Sequence, residues 1–468
     1  MRLSSKWINL MKNIGFMTIG NFASKIMNFI LIPIYTAKLT TEEYGSADLI
    51  FTTLSLLIPI LTLEINEAVL RFSLSATKEK SRSIFTIGVS FSLISFVAFM
   101  VLFPVGMFFE SFRQYWVYII LLYVSNLAYI CMSQFAKGNK NVIEYSICGF
   151  INTVLVALFN ILFLVVFKYK VEGYLLSYIL GYFGATLYLL IALRKSIMFV
   201  SIKDVEYSEI KDMLKYSIPL IPNAVCWWIN NASNKYILAI FCSTATVGLF
   251  SIAYKIPSLL SVVSTIFFSA WQISAVEDFG KQECQDFYSK VYRVFFVLNA
   301  MICIVLIASS ELVAKYLYAN DFFVAWKYSI ILICAYFINS LATFMGTIYT
   351  TSKKTKMLLL SSLLAAAVNI TLSFILIPLF EVYGAALATL LSYFVVLIVR
   401  VYDTKKILPI KFNILECIFL MSMMIVAVLS MFIEKGIGVW GIIACILTII
   451  YASYIGYDYI RQMKKNRK

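Results

Sequence analysis

Histidine is absent from all 468 residues, which excludes histidine-based triads, histidine-ligated zinc or haem, and histidine proton relays. Neither a G-x-x-x-x-G-K-[ST] phosphate loop nor a G-x-G-x-x-G fingerprint occurs, so direct use of a nucleotide by this chain is not expected. Cysteines 131, 148, 226, 242, 284, 303, 334, 417 and 445 contain no C-x-x-C and lie mostly in apolar stretches, where a thiol acts as a small buried hydrophobe. Charge is scarce as well: Asp, Glu, Lys and Arg make up 13% of the chain, against roughly 25% in a soluble domain. No cofactor and no metal is expected.

What is present instead is apolar surface, 62% of all residues, gathered into runs of about 20, the length that crosses a ~30 Å hydrocarbon layer. Fourteen runs can be read, at 14–37, 45–67, 84–109, 115–136, 143–167, 172–193, 216–241, 248–275, 290–310, 328–350, 357–380, 383–402, 413–433 and 437–459. The expected fold class is an all-α membrane protein, because barrel strands alternate in short segments and do not form continuous apolar stretches. The first run follows Arg2, Lys6 and Lys12, yet its apolar part exceeds a signal peptide's h-region, so it is read as a retained helix.

The net charge of +15 follows the membrane topology. Counted from an inside N-terminus, 29 of the 39 basic residues fall in inside segments and 7 in outer loops, with Lys25, Lys235 and Lys255 inside helices. This positive-inside asymmetry places both termini in the cytoplasm and the tail Arg461, Lys464, Lys465, Arg467 and Lys468 against anionic lipid. No nucleic-acid partner is needed to explain the charge.

An internal repeat is visible. Val171, Gly173, Leu176, Leu180 and Tyr182 recur as Val382, Gly384, Leu387, Leu391 and Tyr393 at an offset of 211, and Asn160 and Asn369 precede the two segments. The expected organisation is an N-lobe of helices 1–6 over 1–202, a C-lobe of helices 7–12 over 203–410, and helices 13–14 with the basic tail over 411–468. Since six is even, the lobes are parallel repeats, and a substrate path is expected between them near the midplane.

Polar residues within the spans mark candidate sites. Asn21, Lys25 and Asn28 share one face of helix 1, and Lys25 falls near mid-bilayer, where a lysine costs about 2.5–3.5 kcal/mol and needs a wet cavity or a partner. Helix 7 adds Asn230, Asn231, Asn234 and Lys235, and helix 8 adds Lys255. For Lys235 and Lys255, snorkelling to the outer surface is the alternative to lining a cavity. Helix 2 ends in Glu64, Asn66, Glu67 and Arg71. Glu67 and Arg71 at i, i+4 read most simply as a local ion pair. The alternative is a gate in which Arg71 meets an anionic substrate while Glu64 or Glu67 exchanges a proton or sodium ion, coupling transport to that gradient. Pro33, Pro59, Pro219, Pro222, Pro257 and Pro378 lie in or at the ends of helices, where kinks are tolerated if neighbours satisfy the freed carbonyls.

Four stretches carry a family resemblance: Leu39-Thr40-Thr41-Glu42-Glu43-Tyr44-Gly45; Ala68-Val69-Leu70-Arg71-Phe72; Tyr216-Ser217-Ile218-Pro219-Leu220-Ile221-Pro222; and Val247-Gly248-Leu249-Phe250 with Ala253-Tyr254-Lys255-Ile256. They resemble the polysaccharide flippases, the O-antigen and capsule repeat-unit exporters of the multidrug/oligosaccharidyl-lipid/polysaccharide exporter superfamily. The resemblance implies transport of an undecaprenyl-diphosphate-linked oligosaccharide from the inner to the outer leaflet of a bacterial cytoplasmic membrane, without enzymatic chemistry. Other polysaccharide-assembly membrane proteins would be its neighbours. Family members often carry an acidic–basic pair late in helix 7, where this chain has Asn234-Lys235, so no ion-coupling role carries over to that position. A multidrug cation antiporter would want carboxylates in the cavity rather than lysines. A membrane polymerase or glycosyltransferase would need a larger outer loop than 311–327, the longest here.

Overall fold

In a computed structural model the described residues are 27, 29–74, 76–108, 110–194, 205–279, 284–352, 354–433 and 438–465. They are helical throughout, with no strand among them. Eleven helices among the described residues are long and apolar enough to cross a membrane. The expected first run lies mostly outside the described residues, and with it Asn21, Lys25 and Asn28.

The chain divides into two compact units, Met1–Ala232 and Ser233–Lys468. The first contains α1 (Ile32–Lys38), α2 (Thr41–Leu61), α3 (Ile65–Ser73), α4 (Lys78–Gly106), the short α5 (Glu110–Gln114), α6 (Trp116–Gly138), α7 (Val142–Asn160), α8 (Val171–Ala192) and α9 (Tyr207–Ser217). Helix α10 (Ile221–Phe241) continues into the second unit, followed by α11 (Thr244–Ala253), α12 (Lys255–Asp278), α13 (Cys284–Leu317), α14 (Ala325–Thr351), α15 (Thr355–Thr404), α16 (Ile414–Ile433) and α17 (Val439–Lys465). Helices α16 and α17 pair with each other and pack on α13.

The T-T-E-E-Y-G stretch is a helix start. Thr40 Oγ1 accepts the Glu43 backbone N–H at 3.1 Å and Glu43 Oε2 accepts the Thr40 N–H at 2.9 Å, a reciprocal cap on α2. The other Glu43 oxygen meets Lys170 Nζ at 2.7 Å, tying α2 to the turn before α8. That carboxylate raises the lysine's pKa. The A-V-L-R-F stretch is a packing stripe. Ala68 and Val69 are fully buried against Phe85, Met132 and Phe135, while Phe72 meets Tyr216 edge-on at 6.0 Å. Arg71 is left on the exposed side of α3.

Two expected continuous helices are interrupted, and a third changes its winding. The run at 45–67 is interrupted between α2 and α3, where Leu63 and Glu64 both take φ of 54°, a conformation costing non-glycine residues about 1–2 kcal/mol each. Pro59 weakens the preceding turn, and the break is closed by Glu64 N donating to Pro59 O at 2.9 Å and the Thr62 hydroxyl donating to Ile58 O at 2.7 Å. The run at 248–275 is interrupted at Tyr254, between α11 and α12. Pro257 has no N–H for the Ala253 carbonyl four residues earlier, and the Ser329 hydroxyl donates to that carbonyl at 2.9 Å. Tyr318 donates likewise to Ile252 O at 3.0 Å. The run at 143–167 passes after Asn160 into a π-helical turn, Ile161–Val166.

The runs at 357–380 and 383–402 are the two arms of α15, kinked at Glu381 (φ 49°). Their turn resembles the one between the π-helical segment and α8, where Lys168 has φ of 57°. Each needs a glycine just after it. A Cβ on Gly173 would lie 2.7 Å from Tyr169 Cβ, and one on Gly384 would overlap the Leu376 carbonyl.

Thr40→Ala should lower stability by about 1 kcal/mol, the usual worth of an N-cap, read as a reduced melting temperature of the detergent-purified protein; Lys170→Ala, at an exposed pair, should shift it less. Ser329→Ala should cost about 1–3 kcal/mol by orphaning the buried Ala253 carbonyl, and Ser329→Thr, which keeps the hydroxyl, should recover part of that loss.

Candidate functional site

In the first unit the candidate residues gather at the broken helix. Glu64 is half-buried at the left-handed break. Asn66 is 4% exposed and its buried Oδ1 has no hydrogen-bond partner among the described residues. Glu67, on the first turn of α3, accepts a hydrogen bond from Gln134 Nε2 of α6 at 2.7 Å. The expected Glu67–Arg71 ion pair is not formed among the described residues: the carboxylate turns to Gln134 and the guanidinium is exposed. The inward face of α3 is filled by Ala68 and Val69, so Arg71 projects from the opposite side. The result is two acidic residues flanking a helix discontinuity beside an arginine one turn on. Such a cluster can exchange a cation or proton and present a guanidinium to an anion.

Helix α10 carries the next group. Asn230 Nδ2 donates to Cys226 O at 3.0 Å, one turn back, and Trp228 Nε1 donates to Thr52 O at 2.8 Å, fixing this part of the helix on α2. The Asn231 side chain lies outside the described residues. Lys235 and Lys255 both belong to the second unit and both are half-buried, Lys255 as the first residue of α12 after the Tyr254 interruption.

Asn234 is occupied structurally. It is 4% exposed, and Nδ2 donates to Thr389 Oγ1 at 2.8 Å and to Ala385 O at 3.2 Å, while Oδ1 accepts from the Ser373 hydroxyl at 2.7 Å. Asn369 joins from beside it, accepting from Ser233 and donating to Ser392, both at 3.4 Å. The network binds α10 to both arms of α15 using neutral groups only.

One deep polar residue was not singled out in the sequence. Arg400, counted there with the cytoplasmic basic residues, is 7% exposed. Nε donates to Ser361 at 3.0 Å, Nη1 to Ala342 O at 2.9 Å and Nη2 to Ser362 at 3.1 Å. The signal available was the pair Ser361-Ser362, two hydroxyls opposite a lone arginine on the other arm of one hairpin.

Asn234→Leu should destabilise the protein by about 1–3 kcal/mol, because the Ser373 hydroxyl loses its acceptor in a buried setting. A thermal unfolding series checks this: a melting temperature equal to the parent's would show the network to be unnecessary.

The sequence profile described as "Polysaccharide biosynthesis protein" matches residues 10–272, more than half of the chain. No match to a curated protein sequence is significant. Among solved structures the fold is similar to that of the lipid II flippase MurJ in an inward closed conformation, at a TM-score of 0.75 and 13% identity over 96% of this chain and 99% of that one. It is also similar to an inward-facing multidrug resistance MATE family transporter, at 0.62 and 13% over 82% and 94%, and to a MOP superfamily transporter from Pyrococcus furiosus, at 0.54 and 13% over 84% and 93%. At these identities the structures speak for the fold alone, and the chain belongs to the polysaccharide biosynthesis protein family.

Proposed function

We propose that this protein is a flippase that moves an undecaprenyl-diphosphate-linked oligosaccharide repeat unit from the inner to the outer leaflet of a bacterial cytoplasmic membrane by alternating access of two six-helix lobes. The observation that carries the reading is the joint one: a polysaccharide-family profile over residues 10–272 on a fold matched over 96% of its length by a lipid II flippase. The multidrug transporter of the same superfamily covers 82%, and its cargo class would call for acidic rather than basic cavity residues. A layout of fourteen spans, twelve in two parallel repeats plus α16 and α17, is supported by the similar glycine turns before Gly173 and Gly384, and both termini are assigned to the cytoplasm from the basic-residue asymmetry. The O-antigen or capsule pathway is the expected setting.

In this reading the diphosphate crosses on side chains and the polyprenyl tail stays in lipid through an opening between helices. An uncompensated phosphate in hydrocarbon is prohibitively unfavourable, and an ammonium in the same layer is unfavourable too; brought together in a wet path each relieves the other. Lys25 receives the diphosphate, Asn21, Asn28, Asn230 and Asn231 hydrogen-bond sugar or phosphate, and Lys235 and Lys255 draw the headgroup outward. Arg71 meets the anion at the cytoplasmic side, and Glu64 or Glu67 couples the cycle to a proton or sodium gradient. No chemical bond is made or broken.

Lys25→Ala should abolish surface polysaccharide at normal protein abundance, with lipid-linked units stranded in the inner leaflet, while Lys25→Arg should retain part of the export. Full export by Lys25→Ala would remove that residue from the mechanism. Single-unit products accumulating in the outer leaflet of a deletion strain would point instead to a polymerase.

A further inference from the structure

A cavity of about 330 Å³ opens in the second unit between the first turns of α13 and α16, lined among others by Lys290, Arg293, Phe296, Lys411, Phe412 and Glu416. Its place follows from the sequence. Helix α13 begins at Cys284 and α16 at Ile414, so the cavity lies where the two helices enter the apolar layer, beside the polar linker that contains Lys405, Lys406 and Lys411. Its walls grade from exposed cations to buried Phe296.

One of its lining residues is a buried carboxylate. Asn413 accepts the Glu416 backbone N–H at 3.4 Å, setting Glu416 in the first turn of α16, and the Glu416 side chain is only 2% exposed. Arg293 Nε donates to Oε2 at 2.6 Å, and Tyr451 also reaches the guanidinium. Glu416 Oε1 has no hydrogen-bond partner among the described residues. Leaving a buried acceptor unmatched is unfavourable, and a carboxylate oxygen calls for a donor, best a cationic one. Around it stand three cations, Lys290, Arg293 and Lys411, and one further acid, Asp286. Lys411 is held by Asp286 at 2.7 Å, while Lys290 is exposed and forms no ion pair among the described residues.

We propose that this crevice binds the zwitterionic headgroup of an aminophospholipid, with the ammonium on Glu416 Oε1, the phosphate between Lys290 and Arg293, and the acyl chains running past Phe296 and Phe412. A purely anionic headgroup leaves the carboxylate unmatched, and a simple amine leaves the lysine unmatched. An amine and a phosphate two carbons apart answer both. On the orientation proposed above, the lipid belongs to the inner leaflet. The binding itself does not depend on the cargo.

The test uses the full-length protein in nanodiscs of equal parts phosphatidylethanolamine, phosphatidylglycerol and phosphatidylcholine, with the retained lipids counted by native mass spectrometry. Phosphatidylethanolamine should be retained over both others by about tenfold, the worth of one charge-assisted hydrogen bond. Glu416→Gln should erase that preference, and Lys290→Ala, at an exposed position that cannot perturb the core, should weaken retention of all three. Equal retention of the three lipids by the parent protein, a preference undiminished in both variants, or displacement of the lipid by millimolar inorganic phosphate would each overturn the proposal. Since no cargo is present in the assay, its failure leaves the flippase reading standing, and a loss of export leaves the lipid result standing.

Discussion

Hydrocarbon offers backbone groups no hydrogen-bond partner, so any helix that breaks within a membrane must find its missing donors and acceptors inside the protein. The organisation of both units follows from this constraint. At Tyr254 the chain gives up helical continuity because Pro257 cannot donate, and α14 supplies the Ser329 hydroxyl to the Ala253 carbonyl. At Leu63–Glu64 the repair is local, through the Glu64 N–H to the Pro59 carbonyl and the Thr62 side chain. The two kinds of repair have different consequences. A break mended by a neighbouring helix is locked to that neighbour. A break mended from within leaves its flanking side chains available, and there the carboxylates of Glu64 and Glu67 are found.

The same distinction sorts the deep polar side chains. Asn234 spends its amide hydrogens and its oxygen on Thr389, Ala385 and Ser373, and Arg400 spends three nitrogens on neutral acceptors. Such closed sets hold helices in register, as buried polar networks do once every member is satisfied. Among the described residues Glu67 has one bond to a neutral amide, Asn66 has an unmatched oxygen, and Glu416 has one oxygen bound and one without a partner. An open valence in a buried group is where a ligand, ion or proton has something to gain.

The spans were legible because their signal is local: a run of apolar residues as long as the bilayer is thick reads the same whatever it packs against. The capped start at Thr40–Glu43 also has a local sign, a threonine three residues before a glutamate ahead of an apolar run. The breaks were not legible. Leu63, Glu64 and Glu381 take positive φ without being glycine, and nothing in their identity announces it; only the surrounding packing enforces such a conformation. Nor was the role of Asn234, whose partners lie 139 to 155 residues further along the chain. Arg400 was misplaced for a related reason. Depth counting assigns a terminal arginine to water, whereas two adjacent serines on the opposite arm of its own hairpin give it a dry set of acceptors.

Charge in this chain therefore has to be read by depth and by closure together. A lysine count alone yields an orientation, and depth alone singles out Lys25, Lys235 and Lys255 while leaving Arg400 among the basic residues at the helix ends. Closure marks Arg400 as a cation made structural by its neutral acceptors. In a flippase of a phosphorylated headgroup, the function proposed above, such a partition is what the electrostatics demand. Cations satisfied within the fold cannot release anything to a passing anion, because each bond to it would first have to be broken at the cost of a buried unsatisfied group. In such a flippase, transport can draw only on charges that the fold leaves incompletely matched, which is why a buried cation with a full set of acceptors, such as Arg400, makes a poor station for the cargo.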